Sequence, residues 1–440
     1  MKTDTIIPHY YEIDKPSIHL SNDTRLEYEI INDVHNEFQQ MGHTRLICNN
    51  TNANLRLSKS LLSFTLKIVK ADGTNLTNAD NVAFANNFGA NTFKQVRVQI
   101  NDKEICNKRY VGLTTLVDHL LNYSDDHAKS IATREGLYLD TANSTVKDKY
   151  TFVVADNAIA LDATYNKGYK QRYNLSKLSH EVNVSIPLST LVEFFQIDKV
   201  MRGVIIDLEL LQNDIHSLLI KPQANNHNYI VTIRNLRWII PRVYPSLLSE
   251  QYLNKALCSS NTISYEWEEL NCERKDYIES TSYTTELRIS QLAKYVYVIF
   301  QNNYKYTGVE SNMLFDHANV RKLEVTVDSL KFPALKCSFV DTELNYEDAY
   351  NAYVDATYKE LDSDCGTLIN KQSFINLYPL YCFDTSNSEM NVYDNPSDKP
   401  HFIKIECEFQ EVPNVHMYVL YKCDKLINVK PTEGRITIVD

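Results

Sequence analysis

The chain has 440 residues, 45 Lys and Arg against 56 Asp and Glu, and a formal net charge of −11. With 43% hydrophobic and 23% charged residues it has the composition of a folded globular protein, which excludes a disordered or fibrous one. The acidic balance argues against a surface that holds nucleic acid mainly by neutralising phosphates. Only 10 glycines are present, where an average usage of about 7% would supply roughly 30. The closest two, Gly73 and Gly89, are too far apart for any dinucleotide turn, phosphate loop or nucleophile elbow, all of which need clustered glycines.

The cysteines (Cys48, Cys106, Cys258, Cys272, Cys337, Cys365, Cys382, Cys407 and Cys423) contain no C-x-x-C, which excludes zinc ribbons and thioredoxin-like pairs. Met1-Lys2-Thr3-Asp4 opens no apolar core of signal-peptide length, and no apolar run is long enough to span a membrane. The expectation is a reduced, soluble, intracellular protein. Sequons such as Asn75-Leu76-Thr77 and Asn143-Ser144-Thr145 are then products of an Asn-rich composition.

In chain order, the first strand-like run is Leu62–Val69. Val96, Val98 and Ile100 then alternate with Arg97, Gln99 and Asn101, which places the apolar set on one face of a half-buried strand. In Val111–Tyr123, Leu113, Leu116, Val117, Leu120 and Leu121 recur at spacings of three and four and predict a helix with one apolar stripe. His127 after Asp125 and Asp126 admits a metal or acid/base reading, but a polar turn ending that helix is the plainer one. Lys167-Gly168-Tyr169-Lys170-Gln171-Arg172-Tyr173 interleaves cations with aromatics, as single-strand binders do; a salt-bridged loop explains it equally. Further strands are expected at Val182–Ile186, Val204–Leu211 and Tyr229–Ile240, with a short helix capped by Ser189 or Thr190 and running through Phe195.

The pattern breaks around 241–260, where Pro241 and Pro245 precede a polar, partly helical stretch. Beyond it, Glu266, Glu268 and Glu269 surround Trp267. They resemble paired carboxylates for hydrolysis, but a solvated strand face beside a buried Trp is preferred. Strands follow at Tyr283–Ile289 and Tyr295–Gln301, and again where Leu323, Val325 and Val327 alternate with polar residues. Glu347–Tyr358 predicts a helix with Ala349, Tyr350 and Tyr353 on one face. Asp362-Ser363-Asp364-Cys365-Gly366 lacks the later ligands of a calcium loop and reads as a turn. Asp384–His401 is a turn-rich connection before Ile403, Ile405, Cys407 and Phe409, and a final strand covers His416–Tyr421. The 29 tyrosines suit either a carbohydrate- or partner-binding surface or a core and subunit interface. No catalytic, cofactor-binding or metal-ligating residue is nominated, and the chain is not expected to be an enzyme.

Several segments, in order, resemble the double jelly-roll major capsid proteins of Polinton (Maverick) elements, adintoviruses and virophage-like DNA viruses. Asn81–Ile105 leads to a strand and an Asn101-Asp102 turn, followed by Tyr110 and a helix ending Leu120-Leu121-Asn122-Tyr123. Asn166-Lys167-Gly168-Tyr169 and Arg172 precede a strand, then Ile186-Pro187-Leu188, Phe194-Phe195, Lys199–Val204, Glu209-Leu210 and Asn213-Asp214. Ile233–Pro245 resembles the strand that closes the first jelly roll. In the second half the resemblance runs from Leu292-Ala293-Lys294 and Val296–Tyr306 through Gly308, Asn312, Phe315 and His317-Ala318-Asn319-Val320 to Tyr346, Tyr353 and Phe383-Asp384. Met201, Arg202, Met313 and Leu314 depart from the family pattern and leave the subfamily open.

The resemblance implies an all-β fold of two tandem jelly-roll β-sandwiches with a few short helices in the connections, divided at 1–247 and 248–440. It also implies homotrimers forming pseudo-hexagonal capsomers that tile an icosahedral shell around a DNA genome. Neighbouring capsomers and a pentameric vertex protein would be the partners, with no cofactor, specific nucleic-acid site or membrane span, and the virion would be the location. A capsid-derived protein domesticated in a eukaryotic genome and a β-sandwich carbohydrate-binding or adhesion module remain alternatives.

Overall fold

The computed structural model describes residues 26–32, 37–39, 42–141, 166–221, 228–257, 263–302, 311–339, 344–358, 366–386, 400–432 and 435–439. The segment 1–24, the sequon at 143–145, Cys258, Gly308, residues 362–365 and most of the 384–401 turn region lie outside the described residues.

Among the described residues, eight principal strands form a first sandwich, apart from short strands such as Glu37–Gln39, Leu55–Arg56 and Val200–Met201 at its first sheet: β1 (Leu26–Asn32), β2 (His43–Cys48), β3 (Leu61–Lys70), β4 (Phe93–Ile100), β5 (Lys103–Arg109), β6 (Val182–Pro187), β7 (Ile206–Gln212) and β8 (Tyr229–Val243). They pair antiparallel as β1-β8-β3-β6 and β2-β7-β4-β5. Eight more form a second: β9 (Ile263–Ile278), β10 (Ser282–Ile289), β11 (Ala293–Asn302), β12 (Val320–Val327), β13 (Leu330–Lys331), β14 (Tyr381–Asp384), β15 (His401–Phe409) and β16 (Val415–Thr432). These pair as β9-β16-β11-β14 and β10-β15-β12-β13. Numbered within its own half, each sandwich therefore has the strand order 1-8-3-6 and 2-7-4-5, the two-sheet Greek-key arrangement of a jelly roll. The expected double jelly roll is the observed fold.

The period-two pattern carries this architecture. Val96, Val98 and Ile100 of β4 are buried, while Lys94, Gln95, Arg97 and Gln99 are more open. Leu323, Val325 and Val327 of β12, and Ile403, Ile405, Cys407 and Phe409 of β15, do the same in the second sandwich. The β4–β5 hairpin turns on Asn101 and Asp102, both left-handed at φ 49° and 65°. That is the type I′ geometry which matches strand twist, and Asn and Asp tolerate it without glycine. In β8, left-handed Asn235 sits at a bulge where the register with β3 shifts between Arg234 and Arg237.

Four helices are long enough to matter: α1 (Val111–Asn122), α2 (Lys167–Ser176), α3 (Leu247–Leu257) and α4 (Glu347–Thr357). Two expectations are corrected here. The helix through Phe195 is two pieces, Leu188–Leu191 after Pro187 and a 3₁₀ turn at Glu193–Gln196, with neither Ser189 nor Thr190 as cap. Val192 between them is extended at φ −140° and buried in the first core, so packing overrides a continuous helix. The break at Pro241 also comes too early. β8 runs through Pro241 to Val243, because β1 pairs with it over that whole length.

Candidate functional site at the seam between the sandwiches

Several of the buried ionisable and aromatic residues described lie where the two sandwiches meet, and α1 is the centre of that seam. Its predicted stripe is buried, but so are Gly112, Thr114, Thr115 and His119 on its other faces. All of the helix but Asp118 and Asn122 is buried because both halves press on it, which its sequence periodicity does not announce. Gly112 is required there, since a Cβ would lie 2.6 Å from Asn91 Oδ1 and 2.7 Å from Asn91 Cα.

Contacts across the seam are specific. Tyr353 of α4 donates its hydroxyl to the Leu120 carbonyl at 2.7 Å. Tyr110, at the start of α1, meets Tyr418 edge-on at 5.5 Å, and Phe194 meets Trp267 at 5.2 Å. Tyr265, Trp267 and Ile427 belong to the first sandwich's core although their strands belong to the second. This explains why β16 extends far beyond the expected His416–Tyr421. Its distal part pairs with β9 as a ribbon laid over the first sandwich, and Arg435–Val439 folds back onto that ribbon.

Beneath the seam lies a buried ion pair, Lys108 Nζ to Glu193 Oε1 at 2.5 Å. Burial works against the Lys108 ammonium, but the Glu193 carboxylate outweighs it and holds Lys108 above its ordinary pKa. A second buried group joins α1 to the following turn. His119 Nε2 is 3.6 Å from Glu135 Oε2, and the Tyr123 hydroxyl donates to that same oxygen at 3.4 Å. Burial drives His119 down to about 3 and Glu135 up to about 7. His127, on the short helix Asp125–Lys129 capped by Ser124, packs its ring at a tilt against Tyr123 rather than joining Asp125 and Asp126 in a metal site.

The interleaved segment 167–173 is neither a loop nor a base-stacking platform. It forms α2, with Tyr169, Arg172 and Tyr173 turned inward and Lys167 outward. Arg172 is wholly buried, pairs with Asp140 at 2.7 Å and donates to the Phe84 and Tyr138 carbonyls. Asn166 caps α2 at Tyr169 N and donates to Asp140, while the Asp140 N–H donates to the hydroxyl of Tyr378 in the second half. The "basic" cation is therefore a structural rivet. The alternation of cations and rings is the same for a helix face as for a single-strand binder, so sequence pattern did not separate them. Gly168 permits the close approach, since a Cβ would lie 2.3 Å from the Leu139 carbonyl oxygen.

The acidic trio around Trp267 does not converge. Glu266 is exposed, Glu268 is held by Lys294 and Lys422, and Glu269 is buried 3.5 Å from Lys425. Burial alone would raise the Glu268 carboxyl, but the two lysines outweigh it and keep it below the usual range. Tyr353, Tyr378 and Tyr381 are among the largest fully buried side chains, which places much of the aromatic content in the core. Among the described residues no group of three or more His, Cys, Asp or Glu is placed to hold a metal ion, and no helix is long and apolar enough to cross a membrane. The seven described cysteines are unbridged, and burial raises the thiols of Cys106, Cys272 and Cys407.

No protein-family model matches the chain, and no curated protein matches it in sequence. Solved structures do match in shape. The major capsid protein of mavirus is 12% identical at a TM-score of 0.51, with 100% of this chain and 96% of that one covered. A chain of the Sputnik virophage is 10% identical at 0.58, covering 100% and 93%. The Faustovirus major capsid protein is 9% identical at 0.51, covering 96% and 92%. From end to end, this chain has the double jelly-roll fold of virophage and Faustovirus major capsid proteins.

Proposed function

We propose that the chain is a major capsid protein, a structural subunit and not an enzyme, divided at 1–247 and 248–440 into its two jelly rolls. Three copies form a capsomer with a pseudo-hexagonal outline, and capsomers tile an icosahedral shell around a DNA genome, with a separate pentameric protein at the vertices. The virion is its location. The observation that carries this reading is the repetition of one strand order in two sandwiches locked by a shared, buried seam. Two like wedges held rigidly in one chain are what a three-fold ring needs to present six similar sides.

An acidic subunit does not condense DNA, so genome neutralisation belongs to other proteins or to cations. The test is mass measurement by light scattering on the purified chain, followed by negative-stain electron microscopy. A trimer with hexagonal outline is expected. A chain that stays monomeric at every concentration and never forms such particles sinks the proposal.

A further inference from the structure

The buried pair of Lys108 and Glu193 is built unlike the other ion pairs of the chain. Lys108 lies in β5, Glu193 opens the 3₁₀ turn Glu193–Gln196, and their side chains are 2% and 8% exposed. An ammonium has three N–H donors, yet among the described residues Lys108 meets one acceptor, Glu193 Oε1 at 2.5 Å. Glu193 Oε2 is buried and has no hydrogen-bond partner. The buried pair of Arg172 and Asp140 is served differently. Arg172 spreads its donors over Asp140 and the Phe84 and Tyr138 carbonyls, and Asp140 Oδ1 also accepts from Asn166. Two dry charges as bare as those of Lys108 and Glu193 are costly, because little replaces the water they have lost.

A third carboxyl stands beside them. Asp118 of α1 acts electrostatically on both Lys108 and Glu193. It is half-buried, and its Oδ1 accepts from the Asn122 amide at 2.7 Å. Burial raises its carboxyl above the usual range against the pull of Lys108 and Lys422, which suits a group that takes up and returns a proton.

We propose that Lys108 and Glu193 condense into an amide, a covalent cross-link from β5 to the 193–196 turn, with Asp118 as proton shuttle. A proton first moves along the Nζ–Oε1 hydrogen bond, leaving a neutral amine beside a neutral acid. The Nζ lone pair then forms a bond to Glu193 Cδ. Asp118 takes a proton from Nζ and returns it to the departing Glu193 oxygen, the C–O bond breaks, and one water leaves. Nothing is oxidised or reduced. The product holds one N–H and one carbonyl where two charges stood, so the burial that penalises the ion pair favours the amide. The bond closes a loop across 85 residues and fixes the turn whose Phe194 packs on Trp267.

The test is intact-mass measurement on the purified full-length chain, followed by peptide mapping. A mass lower than that of the sequence by one water is expected, with a branched peptide joining Lys108 to Glu193. Chain synthesised and held in urea should keep the full mass until it is refolded. Lys108→Arg, which keeps the charge but not the amine, should keep the full mass with an unchanged circular dichroism spectrum. Asp118→Asn should slow the appearance of the branched peptide about a hundredfold after refolding. A folded parent chain of full mass overturns the proposal, as does a lost water that maps to any other site or appears in urea. Cross-linking as fast in Asp118→Asn overturns the role given to Asp118.

Discussion

The outer face of β9-β16-β11-β14 and that of β1-β8-β3-β6 share a strand order and differ in what lies on them. The first carries Leu420 and Tyr297 and is sealed by α1 and α4. The second carries Ile30 and Ile239, with Ile30 half exposed. A jelly-roll sheet needs only one buried face to be stable, so the outer face is free to take a second task. In the second sandwich that task is holding the halves together, whereas the first leaves Tyr28 and Ile30 exposed. Substitutions on the sealed side should therefore damage the fold, and those on the open side should leave it intact.

The largest effect is expected at the rivet. Arg172→Met leaves Asp140 buried without its cation, a loss of about 3–5 kcal/mol. Adding Asp140→Leu should recover much of it, since removing both charges restores balance; urea melts of the single and double variants decide this. A double variant as unstable as the single one would show that Arg172 acts through its carbonyl contacts instead. Trp267→Ala, which empties the ribbon's anchor against Phe194, is expected to cost about 3–5 kcal/mol and to uncouple the two halves into separate unfolding transitions. A single cooperative transition after that change would place the coupling in the contacts of α1 with α4 and in the Asp140–Tyr378 hydrogen bond instead.

The third effect is pH-dependent. A carboxyl raised on folding, as Glu135 is to about 7, contributes stability present at acid pH and lost as pH rises through that value. A histidine lowered on folding, as His119 is to about 3, destabilises as pH falls below its ordinary 6.5. The two slopes oppose each other between about pH 4.5 and 6.5 and leave the Glu135 loss visible from there to pH 8. Glu135→Gln should remove that loss and leave the opposing His119 rise uncovered, moving the stability at pH 8 relative to pH 5 upward by about 2–3 kcal/mol. Equal slopes in parent and variant would remove Glu135 from the account.

Smaller again, Tyr353→Phe deletes the hydroxyl that caps the Leu120 carbonyl, about 1 kcal/mol by chemical denaturation. Smallest is Ile30→Ser on the open face, within about 0.5 kcal/mol for the isolated subunit. A loss there as large as at Trp267 would mean that the two faces do not differ as described.

Much of this architecture is written locally. Alternation in β4, β12 and β15 determines which face is buried, because a strand has a side-chain period of two and one face must meet the partner sheet. Asn101-Asp102 determines a tight hairpin without glycine, and the spacing of Leu113 to Leu121 determines α1. Two of the sparse glycines, Gly112 and Gly168, lie where a Cβ would run into the backbone of Asn91 and Leu139.

The rest is decided by contacts between residues far apart in the chain. Lys108 reaches Glu193 and Arg172 reaches Asp140 only once the first sandwich has folded, and across 85 and 32 residues neither pair has a sequence spacing to recognise. For the same reason a lone cation between tyrosines looks the same whether it faces solvent or fills a core. The net charge of −11 says nothing of its own placement. Split at the proposed boundary after residue 247, the sequence separates into a net +1 and a net −12, but only the folded chain turns that composition into a surface. Burial, not residue type, is what gives these side chains their roles, and burial is a property of the assembled chain.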